Sequence, residues 1–117
     1  MDIPEDARST ILTGLQRAAM EEDGTSYPVF GNFPVEVAGK TGTAEKGFYE
    51  SGLPVPDQAW YAALAPADDP EIVVVVTIER GGFGADSAAP VAARILEKYF
   101  KLPITPAVAV DQKTPVE

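Results

Sequence analysis

Val35-Glu36-Val37-Ala38-Gly39-Lys40-Thr41-Gly42-Thr43-Ala44-Glu45 is the stretch on which the reading of this chain turns. Its first part alternates and is rich in valine, the pattern of a half-buried strand. In an extended chain Val35, Val37 and Gly39 share one side, and Glu36, Ala38, Lys40 and Gly42 share the other. Its second part holds a cation, two hydroxyls and two glycines. Glycine packs nothing in a strand and loses much backbone entropy on folding. Gly39 and Gly42 therefore point to something that approaches this backbone closely, such as a ligand lying along an exposed strand edge.

Three readings of Gly39-Lys40-Thr41 compete. A phosphate loop requires G-x-x-x-x-G-K-[ST] at the start of a helix. The first glycine would fall at position 34, which is Pro34, and Gly42 and Gly47 interrupt any helix that follows. A second reading is a solvated strand edge whose lysine discourages edge-to-edge pairing. A third is the Lys-Thr-Gly element found with S-x-x-K in serine acyl-transferases. Three residues do not decide among these, so the surrounding chain must.

The 117 residues suffice for one domain with a modest core. Apolar content is 45% and charged content 23%, an ordinary globular balance. The net charge of −9 argues against a nucleic-acid partner, which needs a basic face. With no cysteine and no histidine, the common zinc sites and Cys/His triads are excluded, and no cofactor or metal is expected. The acidic start Met1-Asp2-Ile3-Pro4-Glu5-Asp6 has no apolar signal-peptide core, and no apolar run is long enough to span a bilayer.

Residues 5–22 read as a helix on Ile11, Leu12, Leu15, Ala18 and Ala19, with Asp6 or Ser9 as its cap and Asp23-Gly24 as its stop. A loop carrying aromatic residues (25–34) leads into the strand at 35–45. Residues 46–57, with Gly47, Gly52, Pro54 and Pro56, form a long loop overhanging whatever the strand presents. Residues 59–65 form a second strand with Trp60, Ala62 and Leu64 on one face; Trp60 and Tyr61 are read as core. After the turn Pro66-Ala67-Asp68-Asp69-Pro70 comes a third strand, 71–79, apolar on both faces and so expected in a central, doubly covered position. Gly81-Gly82-Phe83-Gly84 reads as a flexible turn, since no third glycine completes a dinucleotide fingerprint. A closing helix begins near Asp86 or Ser87, with Pro90 in its first turn and Ala88, Val91, Ala92, Ile95, Leu96 and Tyr99 as its apolar stripe. The domain is expected over 1–100, followed by a proline-containing extended tail over 101–117. Helices against a three-stranded antiparallel meander make an α+β fold.

In this order the segments resemble the C-terminal portion of a penicillin-binding protein transpeptidase domain of the elongation type. The resemblance runs from about residue 8 to 100. It rests on the helix ending near Gly24-Thr25, on 37–45, on Trp60-Tyr61-Ala62-Ala63-Leu64-Ala65-Pro66-Ala67, on the strand 72–79, and on Gly81-Gly82 with the helix 88–100. It implies a partial β-lactamase/transpeptidase-like fold and serine acyl transfer onto D-Ala-D-Ala stem peptides, with β-lactams as mimics. It assigns Lys40 as the cation of the site and Thr41, Gly42 and Thr43 as the substrate-binding edge. The hydroxyls of Thr41 and Thr43 donate to the substrate carboxylate, and the Thr43 N–H is one oxyanion-hole donor. It further implies an extracytoplasmic setting, an N-terminal membrane helix and membrane partners in cell-wall synthesis.

The chain departs from the family pattern at its nucleophile. Its serines are Ser9, Ser26, Ser51 and Ser87. Three residues after them stand Leu12, Val29, Pro54 and Pro90, and two after stand Ile11, Pro28, Leu53 and Ala89. Neither S-x-x-K nor S-x-N is present, so the resemblance leaves the nucleophile to the remaining N-terminal part of the domain. A non-catalytic interaction module and a serine β-lactamase or β-lactam sensor are the alternative readings. One more expectation follows from strand order. In a meander the strand 72–78 keeps an unpaired far edge that is apolar and uncharged, an edge that natural proteins cover.

Overall fold

The computed structural model describes residues 2–47 and 49–104. Helix α1 spans Glu5–Met20 and a single helical turn, α2, spans Tyr27–Phe30. Strand β1 is Ala38–Ala44, β2 is Tyr49–Glu50, β3 is Leu53–Pro54, β4 is Gln58–Ala65 and β5 is Ile72–Ile78, and helix α3 is Ala88–Tyr99. The main sheet runs β1-β4-β5, antiparallel throughout, so the α+β meander read from the sequence is what forms. The long loop is not wholly irregular, because β2 and β3 pair as a small separate hairpin within it. Of the expected tail, 101–104 follow α3 and the rest lies outside the described residues.

The sheet buries one face against the helices. Ala59, Tyr61, Ala63 and Ala65 of β4 and Val74 and Val76 of β5 meet Ala88, Ala89, Ala92, Ala93 and Leu96 of α3. Alanine on both sides lets the helix approach the sheet closely, so a few large groups fill the remaining space. Those groups are Leu96, Phe30 and Tyr61, with Phe30 and Tyr61 stacked at a centroid distance of 5.4 Å. Val91, Ile95 and Tyr99, expected in the buried stripe of α3, are exposed, because the alanine side faces the sheet instead. Neither helix takes the expected side-chain cap. Helix α1 begins after Pro4, and Ser87 at the start of α3 directs its hydroxyl back to Phe83 O at 3.4 Å.

Three expectations about the sheet change. Val35 to Val37 precede the ladder rather than belonging to it. They are still fastened: Val37 is buried and donates to Met20 Sδ at 3.1 Å, and Glu36 O accepts from Ala67 N at 2.8 Å. Trp60 is not core: it is 39% exposed, on the face opposite Tyr61. Among the described residues strand β5 is not covered on both faces, and it keeps the unpaired far edge that the meander order implies. It is an edge strand, with Val73 and Val75 62% and 61% exposed. Register places Val75 beside Ala62 and Lys40, Val73 beside Leu64, and Trp60 beside Gly42 and Thr77, so on the second face of the sheet Trp60, Ala62, Val73 and Val75 are exposed near Lys40.

Candidate functional site

Lys40, Thr41, Gly42 and Thr43 lie consecutively on β1, which pairs with β4 on one side and with no strand on the other among the described residues. Alternation divides them between faces. Lys40 and Gly42 share the open face with Ala62 and Trp60, their register partners. Thr41 and Thr43 take the helical face at the sheet margin. Lys40 is exposed, and its Nζ donates to the Thr41 carbonyl at 2.8 Å. Thr41 Oγ1 donates to Thr25 Oγ1 at 3.4 Å, which ties the strand to the end of the α1–α2 connection. Thr43 Oγ1 accepts from Gly84 N at 3.4 Å, which leaves its own proton free to point outward.

The two glycines have internal causes. A Cβ on Gly39 would strike the hydroxyl of Tyr61 and come within 2.7 Å of its Cζ. The close approach expected of a ligand at Gly39 is made by this phenol. A Cβ on Gly42 would sit 3.1 Å from Trp60 Cβ, tight but open to adjustment. Gly42 therefore keeps the strand low beside Trp60.

Tyr61 anchors the strand from below. Its hydroxyl lies 2.8 Å from Ser26 Oγ, which in turn lies 3.3 Å from Ala18 O. Either hydroxyl can donate in the Tyr61–Ser26 bond, and Ser26 can turn its proton to the phenol oxygen when that oxygen ionises. Burial pushes the Tyr61 pKa above the ordinary 10.0, and the Ser26 hydrogen bond offsets part of that rise. An unfolded tyrosine ionises first as pH climbs past 10, so the unfolded state gives up its proton while the folded state keeps it. Stability linked to Tyr61 is complete below pH 10 and falls as pH rises through the higher folded value. Unfolding free energies measured from pH 8 to 11 are expected to show this decline, and Tyr61→Phe is expected to lessen it. Identical slopes in the two proteins would contradict the assignment.

Beyond Glu45 a cavity of about 260 Å³ opens between the end of β1 and the β2–β3 hairpin, lined by Glu45, Gly47, Tyr49, Pro54, Val55 and Asp57. It adjoins the Lys-Thr-Gly segment without including it. Arg80 Nη2 pairs with Glu50 Oε2 at 2.7 Å and ties this hairpin to the end of β5. Sequence reading missed two contributors to the site: the Thr25–Ser26 connection beneath β1, and Gly84 behind it. Both contact β1 from distant parts of the chain, and no periodicity signals such contacts.

The arrangement is an exposed strand edge with one cation on its face and two threonine hydroxyls at its margin. It can grip an extended anionic peptide, but the strand brings no nucleophile to it. Comparison with known proteins gives this arrangement a family. A model of the penicillin binding protein transpeptidase domain matches residues 1–97. The chain is 34% identical over 96 residues to the peptidoglycan D,D-transpeptidase MrdA of Haemophilus influenzae, covering 74% of this chain and 15% of that protein. It is 45% identical over 85 residues to the peptidoglycan D,D-transpeptidase PbpA of Mycolicibacterium smegmatis, covering 68% and 16%. Among solved structures, PBP2 of Pseudomonas aeruginosa in complex with WCK 5153 superposes with a TM-score of 0.72 at 28% identity, over 84% of this chain and 21% of that one. A chain of a peptidoglycan synthase complex superposes with a TM-score of 0.73 at 32% identity, over 92% and 18%. The chain thus spans about a sixth of the curated relatives' length. Matched over most of its length in sequence and in fold, it belongs to the penicillin binding protein transpeptidase domain family.

Proposed function

We propose that this chain is the Lys-Thr-Gly portion of a peptidoglycan D,D-transpeptidase that cross-links stem peptides by serine acyl transfer. The observation that carries the reading is the Lys40-Thr41-Gly42-Thr43 run on an exposed edge strand, inside a fold matched by the family. In the complete domain a serine Oγ, supplied outside this chain, bonds to the carbonyl carbon of the penultimate D-Ala. The amide C–N bond breaks and the terminal D-Ala leaves with a proton. An amine of a second stem peptide then displaces the serine and forms the cross-link. Lys40 attracts the substrate carboxylate and supports the proton transfers. Thr43 donates its hydroxyl proton to that carboxylate, Thr41 does so by exchanging its exposed bond to Thr25, and the Thr43 N–H stabilises the oxyanion.

The open face around Ala62, Val73 and Val75, and the outer edge of β5, receive the remaining part of the domain in this reading. An apolar strand of this kind is otherwise an aggregation hazard. The complete protein acts outside the cytoplasm, held by an N-terminal membrane helix, beside membrane proteins of cell-wall synthesis. A chain of similar fold belongs to a peptidoglycan synthase complex, which supports a role beside other proteins of cell-wall synthesis. Among the described residues no helix is long and apolar enough to cross a membrane.

Intact-mass spectrometry after incubation with benzylpenicillin tests the reading. The complete domain is expected to gain one acyl adduct and the 117-residue chain none, since no serine here has its lysine three residues on. An adduct on any of the four serines of this chain would place the nucleophile here after all. A complete domain that takes up no penicillin would turn the reading to a non-catalytic binding module.

A further inference from the structure

Gly81-Gly82-Phe83-Gly84 is not the loose turn its composition suggests. Gly81 N donates to Ile78 O at 3.1 Å, Gly82 N to Asp57 O at 2.9 Å, and Gly84 O accepts from Ala89 N at 2.9 Å. Gly84 is buried. A Cβ placed on it would strike the Trp60 carbonyl oxygen and stand 2.6 Å from Gly42 O and 3.0 Å from Gly42 N. All three are backbone atoms of paired residues, because Gly42 and Trp60 are register partners in the β1–β4 ladder. No side-chain rotation relieves such a clash. Gly84 N also donates to Thr43 Oγ1 at 3.4 Å.

We propose that Gly84 is a positioning residue of the transpeptidase site, holding Gly42 and Thr43 from the helical side through its bare backbone and its N–H. The proposal rests on the function proposed above. A side chain at 84 must displace either its own loop or β1. The loop is fastened at Ile78, Asp57 and Ala89, and Gly81 is itself closely packed, its Cβ position lying 2.9 Å from Ala59 Cβ and 3.0 Å from Ile78 Cβ. Strand β1 has no strand paired to its outer edge among the described residues, so the strain goes into Gly42–Thr43. That is the segment whose N–H and hydroxyl must meet the substrate, and a misplacement of about 1 Å in such a group costs on the order of 100-fold in rate.

The test is single-turnover acylation of the complete domain by a fluorescent penicillin, with rate and amplitude read separately. Gly84→Ala is expected to lower the rate constant at saturating penicillin by about 10- to 100-fold with full amplitude. Gly14→Ala, where a Cβ meets nothing within 4 Å, is expected to leave the rate unchanged. An unchanged rate in Gly84→Ala, whether at full or reduced amplitude, would confine Gly84 to folding and overturn the proposal. Hydrogen exchange of the unmodified domain with and without benzylpenicillin decides the matter if the variant does not fold. Acylation is expected to slow exchange in the peptide 80–87 together with 38–44; slowing in 38–44 alone would overturn the coupling. An unmodified domain that is not acylated at all removes the transpeptidase reading itself, and this proposal with it.

Discussion

Lys40→Ala in the complete domain is expected to slow acylation by a β-lactam about 100-fold or more, the scale of losing one preorganised electrostatic group. The reason lies in the charge of the chain. With 18 acidic and 9 basic residues, its overall field repels an anionic stem peptide. The site must therefore supply its own positive charge, within the roughly 10 Å over which charge is felt at 0.1 M salt. Lys40 is the cation of β1, and on its face the neighbouring register partners are Ala62 and, beyond it, Val75. Its ammonium lies along the strand on the Thr41 carbonyl, a single exposed hydrogen bond that a substrate carboxylate can replace. The same exposure means that thermal stability should hardly move, since surface substitutions of this kind stay within about 0.5 kcal/mol. Thr41→Ser keeps the hydroxyl and should be mild. Stopped-flow acylation and a thermal melt on each variant check both statements. Near-normal acylation in Lys40→Ala would return the residue to an edge charge that merely blocks strand pairing.

The meander was legible because β4 and β5 are apolar and are bounded by turn chemistry: Pro54 and Pro56 before β4, the 66–70 turn before β5, the glycines after it. The strand that carries Lys40-Thr41-Gly42 was legible because an alternating, valine-rich run leads into it. Which face of β4 would be buried was not legible. Trp60, Ala62 and Leu64 form one apolar set, and Ala59, Tyr61, Ala63 and Ala65 form another. Period-two alternation cannot choose between two apolar sets. The choice is made by α3, whose alanines approach closely enough to leave room for little beyond one ring, and by the gap Gly39 offers to the Tyr61 hydroxyl. For the same reason Val73 and Val75 suggested a doubly covered strand, which the described residues do not provide. Gly84 read as punctuation, because its partner Gly42 is remote in sequence and adjacent only in the fold.

Gly39→Ala is expected to destabilise the fold by about 3 kcal/mol, the upper part of the usual range for overpacking a filled core. The added methyl meets a phenol that has little freedom to retreat. Tyr61 is fully buried, stacked on Phe30, and hydrogen-bonded to Ser26, itself fully buried. Tyr61→Phe alone removes one hydrogen bond and leaves Ser26 its bond to Ala18 O, so a loss of about 1 kcal/mol is expected. In combination the two changes should not add. Removing the hydroxyl takes away the atom the new methyl strikes, although Cζ and Cε1, 2.7 and 3.1 Å from the built Cβ, keep the fit tight. The double variant is therefore expected to be no less stable than Gly39→Ala alone, giving a coupling of about 1 kcal/mol or more in the favourable sense. Denaturant melts of the four proteins of this cycle measure it directly. Strict additivity would mean that the glycine is not there for the phenol, and that the strand is kept bare at Gly39 for something approaching from outside.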